Sequence, residues 1–152
     1  LKEVFGIECR VLLPQKLPDY AYNHFRNQYL GEKIIEFLEK KYDGLVLGIM
    51  EEDLYADGLN FIFGQAQLGG RVAVVSLHRL RPEFYGERKN EELFKLRAKK
   101  EAIHEMGHIF GLVHCPNPKC VMAFSNTVWD VDKKEWKLCE NCRKTLEDAL
   151  RK

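Results

Sequence analysis

His104, Glu105, His108, Gly111 and His114 fall within the run His-Glu-Met-Gly-His-Ile-Phe-Gly-Leu-Val-His, a spacing suited to setting one carboxylate beside one metal ion. On a helix that turns about 100° per residue, His104 and His108 are roughly 400° apart, so both imidazoles leave the same face one turn apart. Glu105 lies about 60° around the axis from His108. That offset is poor for ligation but good for holding a water or hydroxide bound to the metal, so Glu105 reads as a general base and not a ligand. Gly111 stands where the helix must stop and the chain must turn sharply, a task for a residue with no penalty at positive φ. The turn returns His114 as the third nitrogen. Three neutral imidazoles with one open position describe a catalytic zinc, because a structural site is normally closed by a fourth protein ligand. The plainer alternative, a core helix that happens to carry two histidines, leaves the glycine and the third histidine unexplained.

Four of the five cysteines follow closely. Cys115 and Cys120 have four residues between them, Met122 follows two positions later, and Cys139 and Cys142 form a Cys-x-x-Cys pair. Two short-spaced pairs separated by 18 residues suit a tetrahedral thiolate site, with Pro116 and Pro118 stiffening the first knuckle. Separate buried thiols or disulfides are the alternative, and disulfides are rare in cytosolic chains. Cys9 has no partner by spacing and reads as an ordinary buried cysteine, a small hydrophobe.

The histidine motif resembles that of the metzincin metallopeptidases, His-Glu-x-x-His-x-x-Gly-x-x-His followed by a methionine in a tight turn. The cysteines narrow the likeness to the archaemetzincin family, over residues 104 to 142 most specifically. The tract Leu59-Asn60-Phe61-Ile62-Phe63-Gly64-Gln65-Ala66 and the strand-like stretch Arg71 to Leu77 are also similar to that family. The resemblance implies that His104, His108 and His114 hold a catalytic zinc, that Glu105 is the base and that Met122 is the Met-turn residue beneath the metal. It implies equally that Cys115, Cys120, Cys139 and Cys142 hold a second, structural Zn2+, giving two per chain. That second zinc would pin both ends of the segment carrying His114 and Met122.

Elements to position these residues can be read outward from the motif. Asn90 is a plausible N-cap, with Glu91 and Glu92 in the first turn, for a helix ending near Phe110. Its Ile103, Met106 and Phe110 fall opposite Glu105, so one face packs and the other meets a cleft. The alternating charges from Glu87 to Glu101 read as a solvated face. Phe61 to Gln67 and Arg71 to Leu77 flank Gly69-Gly70 and predict an antiparallel pair. By the metzincin resemblance, the first of these strands is the edge that takes an extended peptide. Val4 to Leu13 reads as a strand closed by Pro14 and Pro18. Asp19 caps a predicted helix toward Tyr42, with Leu30, Ile34, Leu38 and Tyr42 on one face and a kink or break at Gly31. Leu45 to Met50 reads as a buried strand. Leu146, Ala149 and Leu150 recur at helical spacing in a short C-terminal helix. His24 and His78, without spaced partners, read as surface or packing residues.

The predicted architecture is α+β, like the α/β/α arrangement of metzincins. A mixed twisted sheet is backed by helices, with an active-site helix and a small C-terminal subdomain carrying the structural zinc and a terminal helix. With 152 residues, one domain is expected, large enough to bury roughly two thirds of its unfolded surface. Residues 1–111 would form an N-terminal subdomain and 112–152 a C-terminal one, the latter with the Met-turn. A formal charge of +1 and 45% hydrophobic residues make no electrostatic case for nucleic acid or an acidic membrane. No apolar run reaches the 18 or more residues that span a bilayer. A cytoplasmic monomer is expected, acting on short or unfolded peptides.

Zinc-dependent peptide-bond hydrolysis, with a zinc-bound water activated by Glu105, is the leading function. A non-proteolytic zinc protein that binds peptides or a protein partner through the same cleft is the alternative. A zinc-knuckle interaction module is another, disfavoured for nucleic acid by the lack of interleaved aromatic and basic residues. A base beside an open metal position favours hydrolysis, since binding alone does not require it.

Overall fold

The computed structural model describes residues 1–151, with the strands concentrated in the first half of the chain and the longest helix after them. The elements are α1 (Lys2–Phe5), β1 (Tyr22–Asn23), β2 (Gln28–Leu30), α2 (Gly31–Lys41), β3 (Val46–Met50), β4 (Leu54–Tyr55), β5 (Gly64–Ala66), β6 (Val72–Ser76), α3 (Glu91–Ile109), α4 (Val128–Lys133) and α5 (Glu140–Leu150). The fold is α+β with mixed strand directions. Parallel β3 and β6 are joined by antiparallel β5 in the order β3-β6-β5, and a second three-stranded sheet runs β1-β2-β4. The tract before β5 links the two sheets, with Ile62 N donating to Leu54 O of one and Ser76 N of the other donating to Phe63 O, each at 2.9 Å. Among the described residues no helix is long and apolar enough to cross a membrane.

β6, Val-Ala-Val-Val-Ser, is buried along its whole length between α2 and α3. One core cluster joins Ala73 of β6 to Ile103, Met106 and Ile109 of α3 and to Leu112, Cys120, Val121, Met122 and Leu146. The hydrophobic core therefore runs without interruption from the sheet through the long helix into the C-terminal segment. Asn90 caps α3 as its sequence predicts, its side chain accepting from Leu93 N at 3.1 Å.

Several predicted elements are corrected. Val4 to Leu13 is not a strand: Lys2–Phe5 is helical, and Val11 and Leu13 project into solvent. No neighbouring strand offers a ladder to this run, and Phe5 is instead drawn into the core, stacked 5.0 Å from Phe110. Cys9 lies on that segment and is exposed, not buried. The predicted helix from Asp19 to Tyr42 is a 3-10 turn at Asp19–Ala21, the β1–β2 hairpin, and then α2 from Gly31. Asn23 Oδ1 accepts from Phe25 N and Arg26 N, and Asn27 takes φ 54°. These asparagine turns outweigh the helical spacing of the flanking apolar residues. β3 is not buried throughout, since it is an edge strand and Ile49 is 53% exposed.

The charged run on α3 is the correction that matters for function. Arg97, Lys100 and Glu101 are only 2%, 4% and 4% exposed. Arg97 forks onto both oxygens of Asp132 at 2.8 Å and also reaches Leu80 O at 3.0 Å. Lys100 donates to Val131 O at 3.0 Å and Asp132 O at 3.3 Å. Lys134, fully enclosed, lies 3.0 Å from Glu101 Oε2 and donates to Ala123 O at 3.3 Å. Sign alternation along a helix looks the same whether its partners are water or a second layer, so the sequence pattern could not distinguish them. Here α4 supplies the second layer. Breaking a buried ion pair strands a charge, at a cost of about 3–5 kcal/mol, whereas replacing both members by apolar side chains of similar volume is nearly neutral. In urea unfolding, Lys134→Met is therefore expected to lower stability by about that amount, and Glu101→Met/Lys134→Met to recover most of the loss. A double variant no more stable than the single one would show that this pair does not carry the contact between α3 and the C-terminal segment.

Candidate active site

α3 brings His104 and His108 one turn apart, and the chain reverses after them. Gly111 adopts φ +93°, the left-handed turn that ends the helix. Leu112 N then caps Gly107 O at 2.9 Å, and His114 swings back over the helix end. The three ring centroids lie 4.8 to 5.3 Å apart, and one ring nitrogen from each histidine lies within 4.8 Å of the others.

His104 Nδ1 sits 2.7 Å from Val121 O and His108 Nδ1 2.7 Å from Leu112 O. A carbonyl oxygen can only accept, so each Nδ1 must carry the hydrogen and each Nε2 a bare lone pair. The two Nε2 atoms are 3.2 Å apart. Two lone pairs aimed at each other are unfavourable without a cation between them. Ligands about 2.0–2.1 Å from a tetrahedral zinc would lie roughly 3.3–3.4 Å apart, so the residues present fit the ion. Burial lowers the proton affinity of all three imidazoles, most strongly at His104, and Lys134 adds to it. Neutral rings are the state that ligation needs.

Glu105 is almost completely enclosed. Burial, with the nearby Glu101 carboxylate, pushes its carboxyl well above the usual range, against the opposing pull of Lys134. The carboxylate lies against β5: a Cβ on Gly64 would stand 2.7 Å from Glu105 Oε2 and 2.8 Å from its Cγ. Met122 is fully buried, and a Cβ on Gly107 would collide with its sulfur. Gly107 and Gly64 were missed by sequence reasoning. Gly107 carried a signal, since an isolated glycine in a helical stretch costs about 1 kcal/mol and calls for a packing reason. Gly64 carried none, because nothing local shows that its strand crosses the glutamate.

Cys115, Cys120, Cys139 and Cys142 converge beside the histidines, their sulfurs within 4.8 Å of one another. Cys115 Sγ and Cys139 Sγ are 3.7 Å apart, close to the roughly 3.8 Å edge of a tetrahedron with 2.3 Å zinc–sulfur bonds. Burial alone would raise the Cys139 thiol, but hydrogen bonds from the Cys142 N–H and the neighbouring sulfurs bring it down to about 7. Burial holds Cys142 far up in return. Cys115 N donates to Met122 O at 3.0 Å, so the cysteine loop and the methionine turn are tied together.

A cleft of about 790 Å³ opens in front of the histidines. β5 and the tract before it form one wall, and Phe124 to Thr127, after Met122, form another. β5 pairs with β6 on one side only, so its second edge remains free. The antiparallel pair predicted across Gly69-Gly70 is present, with Gly64 opposite Val75 and Ala66 opposite Ala73. His24 packs edge-on against Tyr22 and His78 against Phe84, away from the ligand sets.

The family profile of peptidase family M54 matches residues 6–148. The chain belongs to this family. Archaemetzincin of Methanocaldococcus jannaschii is 52% identical over 146 residues, covering 96% of this chain and 80% of that protein. Archaemetzincin of Pyrococcus furiosus is 51% identical, covering 96% and 79%. The crystal structure of archaemetzincin from Archaeoglobus fulgidus, complexed with malonate, superposes with a TM-score of 0.84 at 40% identity, over 94% of this chain and 85% of that one. A zinc-dependent peptidase from Methanocorpusculum labreanum superposes with a TM-score of 0.87 at 30% identity, over 95% and 88%. Membership in M54 makes the chain a metallopeptidase. The resemblance carried by residues 104 to 142 extends over nearly the whole of this chain.

Two measurements follow. In protein stripped of the histidine-bound metal, Glu105 is protonated in both states below about pH 4.5, while above it the unfolded chain ionises and the folded site resists. The penalty therefore grows as pH rises. Glu105→Gln is expected to raise the melting temperature of the stripped protein at pH 7, with the gain shrinking toward pH 4.5; no gain at pH 7 would contradict the burial argument. Gly64→Ala is expected to cut turnover by about tenfold or more while metal content holds, since the added methyl displaces the carboxylate. Unaltered turnover would show that Glu105 does not depend on this close approach.

Proposed function

We propose that the chain hydrolyses peptide bonds with zinc held by His104, His108 and His114 and with Glu105 as the general base. The carrying observation is the pair of mutually facing Nε2 lone pairs at 3.2 Å beside a buried carboxylate in an open cleft. When bound, the ion supplies Lewis acidity, polarising the scissile carbonyl and acidifying the attacking water. Glu105 takes a proton from that water and delivers it to the leaving amine, one carboxylate serving both steps. Met122, packed against Gly107, forms the floor that keeps α3 and the chain reversal in register. The free edge of β5 receives an extended peptide by main-chain pairing, which favours short or unfolded substrates.

Cys115, Cys120, Cys139 and Cys142 hold the second, structural zinc. This ion fastens the loop whose two ends carry His114 and Met122. A purely binding role for the cleft leaves a buried, costly carboxylate beside the metal with no task, so hydrolysis is the reading supported here.

Glu105→Ala is expected to lose nearly all hydrolysis of a diverse peptide library with zinc content unchanged; loss of zinc, or full activity, would refute its role as base. Cys142→Ser tests the coupling between the two sets. It is expected to lower stability and to weaken zinc binding at the histidines by about 10–100-fold in a competition titration. Equal histidine-site affinity in a folded Cys142→Ser protein would show the two sites to be independent.

A further inference from the structure

The histidines and the cysteines border a common wall. A second cavity, of about 460 Å³, is lined by Val113, His114, Cys115, Cys139 and Cys142, with Thr145 of α5. Val113 and His114 line the substrate cleft as well. Three of the four clustered cysteines are thus partly exposed along a cavity, whereas Cys120 is 1% exposed. One water takes about 30 Å³ of liquid volume, so this space admits a molecule the size of a peroxide. Holding an ion requires no such access.

Cys115 Sγ and Cys139 Sγ are 3.7 Å apart, and a disulfide needs about 2.05 Å. Modest rotation of two side chains closes that gap. Cys139 caps α5, while Cys115 lies on the loop that follows His114. The loop is therefore the partner that yields, and Cys115 draws the neighbouring ligand with it.

We propose that Cys115 and Cys139 are an oxidisable pair, modified by hydrogen peroxide entering this cavity, and that their disulfide switches the histidine site off. The inference rests on the reading of the four cysteines as a zinc set and goes beyond it. Ligation keeps these sulfurs as thiolates, the nucleophilic form. One of the two attacks a peroxide oxygen, the O–O bond breaks, and a sulfenic acid forms as the other oxygen leaves as water. The second thiolate attacks that sulfur, making the S–S bond and breaking the S–O bond with loss of a second water. The pair gives up two electrons, and the peroxide takes them with two protons from solvent. Cys120 and Cys142 are then the remaining sulfur ligands, too few for a tetrahedral site, so the zinc is released. Cys115 directly follows His114 and its N–H is bonded to Met122 O, so its displacement shifts the third histidine and the methionine turn. A misplacement of about 1 Å at a catalytic site can cost about 100-fold in rate.

The test treats zinc-loaded Cys9→Ser protein, which removes the exposed cysteine outside the cluster, with hydrogen peroxide. Free thiols are then alkylated and the protein digested for mass analysis. The expected result is a peptide cross-linked between Cys115 and Cys139, with one zinc equivalent passing to a chromogenic chelator in step with it. Turnover of the peptide library is expected to fall by about tenfold or more, and the histidine set to bind zinc about 10–100-fold more weakly. A thiol reductant with added zinc should restore both. Four alkylatable thiols persisting in excess peroxide, a bridge joining any other pair, or a Cys115–Cys139 bridge that leaves both turnover and histidine-site affinity unchanged would overturn the proposal. The same bridge in protein that never held sulfur-bound zinc would overturn the zinc reading of the cysteines and leave the oxidisable pair standing. A reduced protein that cleaves no peptide would overturn the peptidase reading instead, and the change in histidine-site affinity then decides the switch.

Discussion

Two imidazole nitrogens face each other 3.2 Å apart because their rings are each held from behind by a backbone carbonyl. Everything around the cleft serves that opposition. Val121 O and Leu112 O both lie in the chain that returns from α3, so the ligands are aimed by the same segment that supplies His114. Without a cation the arrangement is repulsive, and the fold must impose it. It does so through a fully buried methionine set against a helix glycine, a glycine turn at φ +93°, and a cysteine loop tied to the methionine by a backbone bond.

The second constraint is the burial of charge behind α3. Arg97, Lys100, Glu101 and Lys134 form a layer between the long helix and the α4 segment, in which each cation finds a carboxylate or a carbonyl and Glu101 is paired with Lys134. Such a layer adds little net stability compared with apolar packing, but it fixes geometry, because each fork and each carbonyl contact admits one register. It also sets the potential at the site. Burial and then Lys134 lower the proton affinity of His104, while burial and then Glu101 raise that of Glu105. In the metal-free protein the same groups thus favour neutral imidazoles and a protonated Glu105.

The site was more legible in the sequence than the scaffold. His104, Glu105, His108, Gly111 and His114 are close in the chain, so one helix and the glycine turn that ends it bring them together. The four cysteines and Met122 are reached across one short loop. α3 was readable from its asparagine cap and its apolar face, and the β5–β6 pair from Gly69-Gly70 between two apolar runs. What was lost depends on contacts distant in sequence. Whether Val4 to Leu13 pairs as a strand depends on a neighbour that the segment itself does not name. Whether Arg97 and Glu101 meet water or Asp132 and Lys134 depends on where α4 packs. Gly64 matters through a glutamate 41 positions away. The hairpin before α2 was obscured because Leu30, Ile34 and Leu38 keep helical spacing across a real boundary, while the asparagines that make the turn were passed over.

The central claim is that two separate ligand sets, one of nitrogen and one of sulfur, each hold a zinc ion in one chain. Zinc K-edge absorption spectroscopy on freshly purified protein, before and after mild chelation, tests it most directly. Two equivalents per chain are expected, with an average shell of sulfur at about 2.3 Å and nitrogen or oxygen at about 2.0–2.1 Å. Chelation should strip the nitrogen set first, because its fourth position is open, and leave one equivalent with a pure four-sulfur shell. A single equivalent in never-chelated protein, or a mixed nitrogen and sulfur shell on the ion that survives, would contradict the account.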